Sequence, residues 1–261
     1  MISKTELDKL VLKYETPDFI KDDPIQFLYR GKNKEDCEIL AFVSSLFAYG
    51  NRKIFIKKLE EIFAKANGDI KGFVINGDFS SLKGVEYRFS KDYDIIPVFQ
   101  ILSKLYNESK GLEELFEYGY KKGFLDNRIC SSINSVVDYF YALAPKTVGQ
   151  GFYHMIPNPA NGGAIKRMNM FLRWMVRKPP VDSGLWKFAT PSELLIPLDV
   201  HVARISRAMG LLHRKSNDFK AVEELMIPLR KFCPNDPVKY DFAMFALGIE
   251  LSKYKTDIKV H

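Results

Sequence analysis

Residues 153–210 read YHMIPNPANGGAIKRMNMFLRWMVRKPPVDSGLWKFATPSELLIPLDVHVARISRAMG. The stretch opens on PNPANGG (157–163), a tight turn between two helical patterns. Its adjacent Gly162 and Gly163 permit positive φ and let another backbone come close. Ala164-Ile165-Lys166-Arg167 follows at once and runs into the apolar helix pattern MNMFLRWMVR. Lys166 then falls in a first helical turn, where the positive end of the helix dipole disfavours an ammonium. An amine placed so, beside Arg167, suits a nucleophile. Further on, PLDVHVARISRAMG sets Asp199 before a helix with Val202, Ile205 and Met209 on its apolar face. Each feature has an ordinary explanation: a loop, a solvated lysine, a helix cap. Their company is less ordinary. Residues 161–220 carry eleven Lys/Arg against four Asp/Glu, an excess equal to the +7 of the whole chain. A concentrated basic surface is the footprint expected for a nucleic-acid backbone.

Outward from this stretch the pattern stays helical. TELDKLVLKYE (5–15) is a short amphipath, and Asp22 or Asp23 can cap a turn that begins at Pro24. EDCEILAFVSSLFAYG (35–50) is apolar on nearly every face, as for a helix buried inside a bundle, and Gly50 can end it. NRKIFIKKLEEIFAKAN is a cleaner amphipath. Residues 68–94 read as loop with short helices. Three more helical patterns follow, the last stopped by Pro145. No segment keeps strict alternation, so an all-α chain of ten or more helices is expected.

The 261 residues are enough for one large domain or two small ones. With a pI near 9.1 the chain is compatible with a polyanionic partner. Cys37, Cys130 and Cys233 are few and scattered, which fits a reducing compartment and excludes a four-thiolate iron–sulfur centre within one chain. The first fifteen residues are mixed and charged, and no apolar run reaches membrane-spanning length. A soluble cytoplasmic, nucleoid-associated monomer is expected. No HExxH or clustered His/Asp set points to a catalytic metal.

Pro197-Leu198-Asp199 leading into His201-Val202-Ala203-Arg204-Ile205 resembles the segment after the hairpin in the helix-hairpin-helix DNA glycosylase superfamily. The hairpin glycines then correspond to Gly162 and Gly163, the catalytic lysine to Lys166 and the catalytic aspartate to Asp199. Thirty-three residues separate Lys166 from Asp199, more than is usual in the superfamily. That longer insertion is most similar to the archaeal-type 8-oxoguanine DNA glycosylases. The hairpin lacks the superfamily's Leu-Pro-Gly-Val-Gly string, which keeps Lys178 and Lys187 as alternative nucleophiles. The chain also resembles an uncharacterised bacterial family with a KRxNMFLRWMVR signature.

The resemblance implies a two-lobed glycosylase fold: a helical lobe over about 35–150, the hairpin and catalytic region over about 151–215, and helices of 216–261 returning to the base pocket. It implies excision of an oxidised purine such as 8-oxoguanine from double-stranded DNA through a lysine Schiff base, with strand cleavage. Asp241 and Phe245, four residues apart on a late helix, would read and stack on the flipped base. Arg167, His201 and Arg204 would meet the DNA with the hairpin, and Tyr49 or Asn51 would fill the gap left by the base. No cofactor is required, although the resemblance allows a monovalent cation at the hairpin. The alternatives are a monofunctional glycosylase for alkylated bases, a non-catalytic DNA-binding protein and a helical interaction protein.

Overall fold

The computed structural model describes residues 3–125 and 127–253. Among them are twelve α-helices and no strand, with isolated bridges at Tyr87–Ser90 and Gly163–Asp218. In chain order the helices are α1 (Lys4–Tyr14), α2 (Lys34–Phe47), α3 (Arg52–Ala64), α4 (Ile70–Asn76), α5 (Asp92–Asn107) and α6 (Leu112–Lys122). They continue with α7 (Arg128–Leu143), α8 (Gln150–Met155), α9 (Lys166–Val176), α10 (Val200–Ala208), α11 (Phe219–Phe232) and α12 (Tyr240–Lys253). The expected all-α class is therefore observed. No helix among the described residues is long and apolar enough to cross a membrane. The chain divides into two compact units, residues 23–158 and residues 3–22 joined by 159–253.

In the 23–158 unit, α2 is the central helix, and every residue from Glu38 to Phe47 is buried. Its apolar face all round leaves no solvent side, as its sequence implied. Asn33 caps it by accepting the Asp36 N–H at 2.8 Å. Two acidic residues on this buried helix are satisfied locally. Glu38 accepts the Tyr106 hydroxyl at 2.8 Å, and Asp36 accepts the Lys32 and Lys71 N–H groups. Asp23 caps the 3-10 turn that starts at Pro24. The approach of α6 to α7 depends on Gly119, where a Cβ would lie 2.4 Å from the Ser131 carbonyl oxygen. Phe42, Phe47, Phe99, Phe116 and Phe140 are fully buried. Each stabilises the unit by about 1.5–3 kcal/mol relative to an exposed ring.

In the other unit α9 holds the centre, with every residue from Arg167 to Val176 buried. Residues 177–199 form no helix, and Pro179, Pro180, Pro191 and Pro197 account for that. This segment folds back instead and satisfies the end of α9. Ser183 N–H donates to the Trp174 carbonyl at 2.9 Å, and Trp186 N–H to that of Met175 at 2.8 Å. Trp186 then sets its ring edge-on to Phe171 at 5.1 Å. α10 lies close against α12 because residue 248 is glycine: a Cβ there would fall 2.8 Å from that of His201. The N-terminal helix belongs to this unit, which the sequence did not indicate. Tyr14 donates its hydroxyl to Glu250, while Tyr240 and Lys239 bind Asp8 at 3.1 and 2.7 Å.

Candidate active site

The site grows from two helix starts. At the first, the chain turns at Gly162, with φ of 72°, and enters α9 through Ile165. Ile165 itself has φ of 43° and is buried. A β-branched residue in the left-handed region is a true outlier, costing on the order of 1–3 kcal/mol, and such strain collects at functional sites. Ile165 offers no side-chain acceptor to the first N–H groups of α9. Gly162 and Gly163 are exposed, and a Cβ on either would meet nothing within 4 Å. An open turn therefore leads to an uncapped helix start, which is physically suited to an anionic group.

The turn is held from behind. Phe219 N–H donates to the Gly162 carbonyl at 2.9 Å, beside the Gly163–Asp218 bridge, and Asn169 Nδ2 donates to that of Ala164 at 3.2 Å. The Pro159 and Ile165 carbonyls accept the Gly162 and Asn169 N–H groups. No group of three or more His, Cys, Asp or Glu able to hold a metal occurs among the described residues.

At the second helix start Asp199 caps α10. Its Oδ1 accepts the His201 and Val202 N–H groups at 2.8 and 2.9 Å. Its Oδ2 lies 3.6 Å from Lys166 Nζ, with the lysine side chain 28% and the aspartate 12% exposed. Two helix starts thirty-three residues apart thus present an amine and a carboxylate to each other, both within reach of solvent. The other lysines stand elsewhere: Lys178 is exposed beyond the far end of α9, and Lys187 donates to the Gly184 carbonyl.

Beneath this pair lies a charged network of which the sequence reading named only Asp241, and as a base-reading residue rather than a partner of Arg173. Arg173, two turns along α9 from Lys166, binds Asp241 of α12 and, at 3.2 Å, Asp182. Arg177, one turn further, binds Glu15, Asp182 at 3.2 Å and Asp236 at 2.8 Å. Burial pushes the Asp182 carboxyl up, against the pull of both arginines. Burial also pushes Asp241 up to about 7. Arg173 and Lys166 draw it down, and the Asp199 charge adds to the rise. The available signal was two arginines spaced i, i+4 inside the apolar run FLRWMVR, since a charge there must find a buried partner.

The other expected site residues make the following contacts within the protein. Phe245 meets the edge of the His201 ring at 5.8 Å, and Arg167 is buried. Arg204 clasps α12 through the Gly248 carbonyl and Ser252, and Arg207 holds the 214–217 loop through its carbonyls and Asn217. Tyr49 and Asn51 belong to the 23–158 unit. Asn51 caps α3, accepting the Lys53 and Ile54 N–H groups. Tyr49 sits in an aromatic cluster, stacked on Phe89 at 5.6 Å and edge-on to His154 at 4.6 Å. Phe89 is the exposed ring of that cluster.

No curated protein and no solved structure matches the chain. Residues 23–250 match the model of a family described as protein of unknown function DUF2400. That match spans both units and takes in Lys166, Asp199 and Asp241, and the chain belongs to the DUF2400 family.

Proposed function

We propose that this protein is a helix-hairpin-helix DNA glycosylase with lyase activity, which excises an oxidised purine such as 8-oxoguanine from double-stranded DNA. The observation that carries the reading is the Lys166–Asp199 pair, 3.6 Å apart, at the head of a helix entered through an open glycine turn. The turn and the uncapped start of α9 would take a backbone phosphate. The damaged nucleotide must leave the stack before its C1′ can be reached, at a cost of a few kcal/mol. The Lys166 amine, having given up a proton, then attacks C1′. The C1′–N bond breaks, its electron pair leaves with the base, and the base takes a proton. Asp199 stabilises the positive charge that develops on the sugar. Opening of the sugar ring gives a Schiff base between Lys166 and C1′. Loss of a C2′ proton then expels the 3′ phosphate, and water releases the lysine.

Incubation with duplexes carrying one 8-oxoguanine, one alkylated purine or no lesion tests this. Base release with strand nicking is expected from the 8-oxoguanine duplex alone. Release of the alkylated base without nicking would replace the reading with a monofunctional glycosylase. Salt-dependent duplex binding with no release from any substrate would replace it with a DNA-binding protein, and the absence of such binding with a helical interaction protein.

A further inference from the structure

We propose that the tip of the 87–90 turn, Arg88-Phe89, is a stacking site for an unpaired nucleobase of single-stranded DNA. The tip belongs to the 23–158 unit and does not depend on the Lys166 chemistry of the other unit. The chain reverses there within two residues. Tyr87 N–H donates to the Ser90 carbonyl at 2.9 Å, and Ser90 N–H to that of Tyr87 at 3.0 Å. Arg88, the first residue of the tip, takes a φ of 54°, as the first central position of a tight hairpin turn requires. Both tip side chains are exposed.

The tip stands on a fixed base. Tyr87 and Ser90 are buried. Tyr87 donates its hydroxyl to the Tyr49 carbonyl, and the Tyr49 hydroxyl lies 3.1 Å from Ser90 Oγ. Ser90 Oγ in turn donates to the Gly151 carbonyl at 3.4 Å. On this base the Phe89 ring is stacked on Tyr49, with 19° between the planes, and meets His154 edge-on at 4.2 Å. The ring is therefore held in one orientation, yet 46% of the residue stays exposed. A planar apolar surface already fixed in place loses little freedom when a second plane stacks on it.

The charge beside the tip selects the partner. Arg88 Nη1 lies over Gly50, where a Cβ would come within 2.4 Å of it. Two residues further on, α3 begins with Arg52 and Lys53. Among the described residues none of these three cations forms an ion pair, and the acid closest to Arg88 in sequence, Glu86, is taken by Lys91. Cations without acidic partners, next to a fixed and exposed ring, suit a polyanion that also carries planar bases. A duplex offers the phosphates but keeps its base faces inside the stack. A single strand offers both.

The test is fluorescence anisotropy with a labelled oligothymidylate of about twelve nucleotides, an abasic strand of the same length and an undamaged duplex, for wild type, Phe89→Ala and Phe89→Trp. Phe89→Ala should bind the oligothymidylate about tenfold more weakly than wild type does. It should bind the abasic strand and the duplex as wild type does. Phe89→Trp should bind the oligothymidylate at least as well as wild type, and its added emission should fall as a base stacks on the indole. Wild type that does not bind the oligothymidylate overturns the proposal, as does unchanged affinity in Phe89→Ala. A loss of the same size on the abasic strand or the duplex overturns it too, and so does an added tryptophan whose emission stays constant. None of these readouts uses Lys166, so a protein that binds in this way and releases no base would overturn the glycosylase reading alone.

Discussion

Asp199→Asn is expected to slow base release by about a thousandfold while leaving the fold in place. An asparagine oxygen can still accept the His201 and Val202 N–H groups, and asparagine caps helices as well as aspartate does. The cap should therefore survive within a few tenths of a kcal/mol. The negative charge facing Lys166 Nζ and the developing positive charge on the sugar does not survive. A thousandfold corresponds to about 4 kcal/mol of lost transition-state stabilisation. Single-turnover release beside a thermal melt separates the two quantities. A variant with the wild-type melt and the wild-type rate would remove Asp199 from the chemistry and leave it as a cap.

The second large effect is on stability. Arg177→Met should destabilise the protein by about 3–5 kcal/mol, because it strands the buried Glu15 carboxylate without its cation and leaves Asp182 with Arg173 alone. Glu15, Asp182 and Asp236 all bind this one guanidinium, which is 7% exposed as a residue. Lysine should rescue little, since a single ammonium cannot spread its donors over three carboxylates as the guanidinium fork does. The loss should also depend on pH. Burial already pushes the Asp182 carboxyl up, and removing the arginine takes away one of the two charges that draw it down. The folded-state penalty on Asp182 is then present at high pH and relieved as pH falls and it takes a proton. Urea melts of both proteins at pH 5 and pH 8 should show the larger gap at pH 8. An equal gap at both values would mean that the cost lies in packing rather than charge.

The two residues at the heart of the site were legible because local rules mark them. Asp199 stands where a helix pattern begins, and Lys166 follows a glycine turn at the start of another. Helix starts of this kind are written in a few adjacent residues. The all-α class was legible for the same reason, since a period of 3.6 recurs through most of the chain. Less was legible where partners are distant in sequence. Arg173 and Arg177 stand out in FLRWMVR, but nothing in that run says that Glu15 and Asp241 will answer them. The union of α1 with the C-terminal helices was hidden likewise, because an amphipathic face does not name the surface it will cover. Ile165 illustrates a third limit: no propensity rule places a β-branched residue at φ of 43°, which the buried surroundings impose. Tyr49 is a fourth. Its neighbours Tyr87, Phe89 and His154 gather around it only in the folded unit.

The measurement to make first is borohydride trapping of wild type and Lys166→Gln on a duplex with a single 8-oxoguanine. A Schiff base between Lys166 and C1′ predicts a covalent protein–DNA adduct in wild type and none in the glutamine variant. An adduct of equal yield in Lys166→Gln, or none from wild type on either damaged or abasic duplex, would contradict the lysine chemistry proposed for this site.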